Sequence, residues 1–172
     1  MNAQLDFIAP FSFGEGGCIF LGGVLKLTGT HTIGATVERA FELLIDPEVL
    51  ARCMPGCDKL EHRADGVYDM AVSAGIGPVR GKYTGSVTLS DIQPPERYTM
   101  VVDIKGTTGF VRGQGVVELA PEGENTRISF EGDVQIGGPI AAVGQRMHAS
   151  AARLMTRQLF GAIDAEARAS EG

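Results

Sequence analysis

The chain has 172 residues, with 24 glycines, no tryptophan and a formal net charge of -6 at pH 7. A chain of this length folds as one domain that buries roughly 70% of its unfolded surface. Its 15 Lys and Arg are scattered, which excludes the concentrated basic stripe that nucleic acid requires and speaks against simple electrostatic adhesion to anionic lipid. No run reaches the eighteen or so uninterrupted apolar residues of a membrane span.

Residues 7 to 25 come nearest to such a run, but Pro10, Glu15 and several glycines interrupt them and no basic residue precedes them. They lack the n-region of an export signal. Residues 1–23 are therefore expected to be a flexible N-terminal extension, and residues 24–172 a single domain. The odd cysteine count, Cys18, Cys53 and Cys57, suits a reducing compartment, and a cytoplasmic location is expected.

From Val24 to Ile33, Leu25, Leu27 and Ile33 alternate with Lys26, Thr28, Thr30 and Thr32, the pattern of a strand with one buried face. Thr36 then precedes Val37, Ala40, Phe41 and Leu44 at helical spacing and is a candidate N-cap. Pro47 forces that helix to stop near Asp46 and opens a second short one through Val49, Leu50 and Met54. Pro55-Gly56 marks the turn after it.

Period-two alternation then runs through Tyr68 to Ile76, Val79 to Leu89, Tyr98 to Ile104, Val111 to Leu119 and Ile128 to Ile136. About seven antiparallel strands, each wet on one side, follow from this pattern. Pro139 to Ser170 reads as one long helix, with Ile140, Gly144, Met147, Ala151, Leu154, Met155, Leu159 and Ala162 on its apolar face and Arg146, Arg153 and Arg157 on another. As the only helix long enough to cover the strands, it should be wrapped by a curved sheet in an α+β fold.

Gly81, Gly85, Gly113, Gly115 and Gly132 fall on the inward side of the strands. There they either bend the sheet or remove side-chain volume to open a cavity. Cys53 and Cys57 form a C-x3-C pair without the two further ligands of a tetrahedral zinc site, so no metal is expected. No serine or cysteine has a nucleophile context and no glycine loop matches a phosphate cradle. Tyr68 and Tyr83 are the inward phenols, His148 falls at the edge of the apolar helix face and Gln158 within it.

The order of strand, two short helices, six strands and a long helix resembles the helix-grip fold of the START and polyketide-cyclase-like (SRPBCC) superfamily. Within it, Asp46-Pro47-Glu48-Val49-Leu50-Ala51-Arg52-Cys53-Met54-Pro55-Gly56-Cys57, then Gly77-Pro78-Val79-Arg80-Gly81-Lys82-Tyr83-Thr84-Gly85 and Gly113-Gln114-Gly115 resemble the carbon monoxide dehydrogenase CoxG family over about residues 25 to 167. The resemblance implies a non-enzymatic accessory protein that binds a quinone or other lipid, with menaquinone the most concrete candidate. It also implies service to a molybdenum hydroxylase of the carbon monoxide dehydrogenase type at the inner face of the membrane. Many relatives continue beyond the long helix into a membrane-binding tail, so membrane contact here is expected through the N-terminal segment or the cavity mouth.

The expected ligand walls are Met70, Val72, Tyr83, Val102, Val117, Phe130, Met147, Ala151 and Met155, with Tyr83, His148 or Gln158 meeting the polar head. Two rival readings are a ligand-free assembly or recruitment factor and a cyclase- or dehydratase-like enzyme. The latter needs an acid-base pair in the cavity, for which the sequence offers His148 and tyrosines.

Overall fold

The computed structural model of the chain describes residues 17–21, 24–76 and 78–169. An edge strand β1 (Gly17–Leu21) leads into β2 (Val24–Ile33), two short helices α1 (Val37–Ile45) and α2 (Pro47–Cys53), then β3 (Cys57–Ala64), β4 (Val67–Ile76), β5 (Val79–Gln93), β6 (Arg97–Gly106), β7 (Gly109–Glu122) and β8 (Asn125–Gly137). A short 3-10 turn (Pro139–Val143) and the long helix α3 (Gln145–Ala169) complete the chain. The strands form one antiparallel eight-stranded sheet in the order β1-β2-β8-β7-β6-β5-β4-β3.

Six of these strands, β2 and β4 to β8, match the alternation in the sequence, and β3, which does not alternate, brings the count to the seven expected; the eighth, β1, comes from the segment expected to be an extension and pairs along β2 from Gly17 opposite Thr28 to Leu21 opposite Val24. Residues 1–16 of that segment lie outside the described residues. The first long strand closes on the last, Leu25 opposite Val134 and Ile33 opposite Thr126. The helix pair between β2 and β3 thereby spans from one edge region of the sheet to the other.

The helix boundaries follow from local chemistry. The Thr36 hydroxyl accepts from the Arg39 N–H at 3.3 Å, capping α1 as expected. Asp46, held extended by the proline after it, caps α2 by accepting from the Glu48 N–H at 2.9 Å, so one residue ends α1 and starts α2. Gly56 has a φ of +76°, and a Cβ there would strike the Ser73 carbonyl oxygen. The Pro-Gly pair is thus the turn that lets α2 drop into β3 against β4, where the Ser73 N–H donates to the Gly56 carbonyl at 2.8 Å.

The long helix departs from the expectation in extent and phase. Residues 139–143 form a 3-10 turn, and Gly144, with a φ of +99°, breaks the chain before α3 starts. The buried face is His148, Phe160, Ile163 and Ala167, with Ala152 and Thr156 half-buried between them. The expected stripe of Met147, Ala151 and Met155 lies one residue, or about 100°, away. Met147, Leu154 and Met155 are 39%, 49% and 38% exposed. Extrapolating one helical wheel from Ile140 fails because the break at Gly144 resets the phase.

Where α3 passes the end of β2, the Asp164 carboxylate accepts from the Gly34 N–H at 2.7 Å. The same helix end meets α2 through Arg52 and Glu166, 2.6 Å apart. His148 Nε2 donates to the Ile140 carbonyl at 2.9 Å, tying the first turn of α3 back to the 3-10 turn. Ile140 itself is 2% exposed and is fixed by its N–H donating to the Thr108 carbonyl at 2.7 Å.

Candidate functional site

Between α3 and the concave face of the sheet lies an apolar cavity of about 280 Å³. One wall is sheet: Met70 on β4, Val87 and Leu89 on β5, Tyr98, Met100 and Val102 on β6, Val117 on β7 and Phe130 on β8. The opposite wall is helical, with Leu44, Ile45, Pro47 and Leu50 from α1 and α2, Met54 just after α2, and Thr156, Leu159 and Phe160 from α3. Its volume sits near the lower end of the ~300–1,000 Å³ range of small-molecule sites.

Part of the sheet wall is main chain. Gly113, Gly115 and Gly132 line the cavity, and Gly115 sits directly opposite Gly132 across β7 and β8. Strand alternation points Gln114, Val116, Glu131 and Asp133 to the convex face, so these neighbours reach the cavity through their backbone beside the glycines. A Cβ on Gly115 would lie 2.9 Å from the Glu131 carbonyl oxygen, and one on Gly132 2.9 Å from that of Gln114. These glycines permit the close strand approach and remove side-chain volume together. Gly81 and Gly85 do only the first, because a Cβ there would meet Thr108 Oγ1 or the Asp103 carbonyl and neither lines the cavity.

Two of the lining rings, Phe130 and Phe160, belong to a stack that reaches His31 outside the lining. His31 and Phe160 lie 4.7 Å apart between centroids and Phe130 and Phe160 5.5 Å apart, both stacked. Burial, reinforced by the nearby Arg157 charge, lowers the His31 pKa below its ordinary value, so the imidazole is held neutral within the stack.

Of the residues expected to bind ligand, Met70, Val102, Val117 and Phe130 come together around the cavity. Val72 and Tyr83 are core residues, 3% and 2% exposed, that do not line it. The Tyr83 hydroxyl is hydrogen-bonded to Thr108 rather than aimed inward. The phase of α3 carries Met147, Ala151, Met155 and Gln158 away from the cavity, and His148 directs its ring to Ile140. The α1–α2 wall escapes a reading of the sequence because a seven-residue helix such as α2 looks like a connector, although Leu50 and Met54 at i, i+4 already mark an apolar side.

Tyr98 escapes it too as the polar group. It is 4% exposed, packs edge-on against Phe41 at 5.9 Å, and lines the cavity with Tyr68 and Thr156. Its phenol is pushed well above its ordinary pKa by burial and so stays protonated, a donor available to an acceptor in the cavity. Thr156 has already turned its hydroxyl to the Ala152 carbonyl at 3.0 Å, leaving the phenols as the polar handles of an otherwise greasy chamber.

Cys53 and Cys57 are free thiols, both raised in pKa, first of all by burial. They pack at the junction of α2 and β3. Among the described residues no group of three or more His, Cys, Asp or Glu side chains is placed to hold a metal ion. No helix among them is long and apolar enough to cross a membrane.

A curved antiparallel sheet closed around a C-terminal helix, with two short helices completing the rim of an apolar chamber, defines a helix-grip protein of the START and polyketide-cyclase-like class. Solved structures of that class superpose on it. They include the Zhui aromatase/cyclase from Streptomyces sp. R1128, at TM-score 0.65 and 15% identity over 84% of this chain and 94% of that one. A START superfamily protein from Mycobacterium smegmatis matches at TM-score 0.63 and 14% identity, covering 83% and 97%. At those identities the likeness is one of fold alone. A conserved protein from Geobacillus kaustophilus is nearer, at 34% identity and TM-score 0.81 over 84% of this chain and 96% of that one. The chain belongs to the carbon monoxide dehydrogenase CoxG family, whose model matches residues 29–168. No curated protein sequence matches it significantly.

Proposed function

We propose that this protein is a non-enzymatic accessory protein that holds a quinone or other lipid-like molecule in the grip cavity and serves a carbon monoxide dehydrogenase-type molybdenum hydroxylase at the membrane. The observation that carries the reading is the chamber itself, about 280 Å³ and lined by aliphatic and aromatic side chains with Tyr68 and Tyr98 as its phenols. A ring-sized apolar headgroup with hydrogen-bond acceptors suits that lining: its flat faces meet Phe130 and Phe160, and a carbonyl oxygen accepts from Tyr98. A menaquinone-like head fits these terms, its chain leaving through the mouth. The family name supports the enzyme partner.

An acid-base enzyme needs titratable groups that reach a substrate. His148 faces Ile140 and His31 is stacked on Phe160, so neither imidazole supports that rival. The test is extraction of the purified protein with organic solvent and mass spectrometry, followed by reconstitution with menaquinone. A stoichiometric quinone or lipid is expected; if nothing co-purifies and none can be loaded, the carrier reading fails and a ligand-free recruitment role takes its place.

A further inference from the structure

Three of the most exposed large apolar side chains in the described residues, Met147, Leu154 and Met155, share the outer face of α3. Their spacing of i, i+7 and i+8 makes a stripe along one side of the helix. Alongside it lie Arg146, Arg153 and Arg157, all exposed and without a salt bridge among the described residues. Between residues 145 and 158 there are three arginines and no carboxylate, in a chain whose formal charge is -6. The whole-chain charge therefore conceals a locally cationic, apolar-striped helix half, the pattern by which a helix lies in a bilayer interface. It also borders the chamber, because Met155 is next to Thr156 and one turn from Leu159, both of which line it.

We propose that the outer face of the first half of α3 is a docking surface for an anionic lipid bilayer, with Leu154 and Met155 entering the headgroup region and the three arginines resting on lipid phosphates. Charge complementarity selects lipid: an apolar partner surface would satisfy the stripe but not the arginines. This deepens the carrier reading, on which its biological purpose rests, by bringing the chamber up to the bilayer from which a lipid-like molecule would enter.

The experiment is flotation of the full chain with vesicles of phosphatidylglycerol and phosphatidylethanolamine, against pure phosphatidylcholine, at low and high salt. Two variants are compared, Arg146→Gln/Arg153→Gln/Arg157→Gln and Leu154→Gln/Met155→Gln, each checked by circular dichroism. Wild type should float with the anionic vesicles and release at high salt. Removing three charges should lower partitioning by about a hundredfold, at about fivefold each, and the apolar pair should lose it as well. Absence of flotation, flotation unchanged in both variants, or oxidative-footprinting protection of the Met147 and Met155 side chains in vesicle-free protein, showing the face covered by residues 1–16 or a second copy, would each overturn the proposal. Menaquinone loading measured on the same variants separates the two readings: loading kept while flotation is lost supports a distinct docking surface, and loading lost in wild type with flotation kept leaves the surface standing alone.

Discussion

Gly34 and Asp164, 130 residues apart, are joined by a 2.7 Å hydrogen bond from the Gly34 N–H to the Asp164 carboxylate. The bond fixes the C-terminal part of α3 to the junction of β2 and α1, and so sets the height of the helix over the chamber. Burial opposes ionisation of Asp164, but the Gly34 N–H and the Arg168 guanidinium outweigh it and hold the pKa below its ordinary value. Replacement by Ala leaves a buried N–H without its acceptor and should cost about 1–3 kcal/mol, read as a lower midpoint in urea. Because the folded pKa is the depressed one, the carboxylate's contribution is complete above the ordinary value of 3.8 and is lost as pH falls through the lower folded value. Asp164→Ala should lack that acid-dependent part.

Filling the chamber separates the true wall from the one read off the helical wheel. Val102→Phe projects a ring into open space, so loading of menaquinone should fall at least tenfold while stability changes by under about 1 kcal/mol, less than in a packed core. Ala151→Phe, on the half-exposed flank of α3, should leave loading unchanged. Both are checked by mass spectrometry of reconstituted protein, and the opposite ranking would move the ligand to another site.

Tyr98→Phe tests the polar handle. No intramolecular hydrogen bond of its phenol is present among the described residues, so removing the oxygen should leave the unfolding midpoint nearly unchanged. A quinone bound through that oxygen should weaken by roughly 5- to 10-fold, the worth of about one neutral hydrogen bond. Equal affinity in equilibrium dialysis would place the head elsewhere.

His31 predicts a pH dependence of stability. Its pKa is lowered in the folded protein from 6.5 by burial and then by Arg157. The unfolded chain thus binds the proton more tightly, and stability is full above about 6.5 and falls as pH drops from there towards the lower folded value. His31→Phe keeps a ring against Phe160 and should flatten the denaturation midpoint between pH 7 and 5. An unchanged slope would mean that another group titrates.

The sheet was legible in the sequence because alternation is a property of the strand itself: Tyr98, Met100, Val102 and Ile104 face inward whatever their neighbours do. The Thr36 cap, the stop at Asp46 and the Pro-Gly turn were legible for the same local reason. The site was half legible. Its sheet wall followed from the alternation, whereas its helical wall depended on how the chain crosses Gly144, where a 3-10 turn and a positive φ intervene. Apolar side chains at Met147, Leu154 and Met155 then made the wrong phase look like a core face. Tyr83 and Tyr98 share an orientation rule, and only tertiary packing, Thr108 against the Tyr83 hydroxyl and Phe41 edge-on to the Tyr98 ring, decides which phenol is free to face the chamber.

The glycine stretch of β7 and β8 has a consequence for how the chamber can change. Where the wall is bare backbone, no substitution can widen it, and adding a Cβ to Gly115 or Gly132 pushes neighbouring strands apart. Variation in cargo size within this architecture must come from the parts of the wall that carry side chains, Leu44, Leu50, Met54, Leu159 and Phe160 on one side and Met70, Met100 and Val102 on the other, so selectivity can be retuned there while the glycine stretch stays the same.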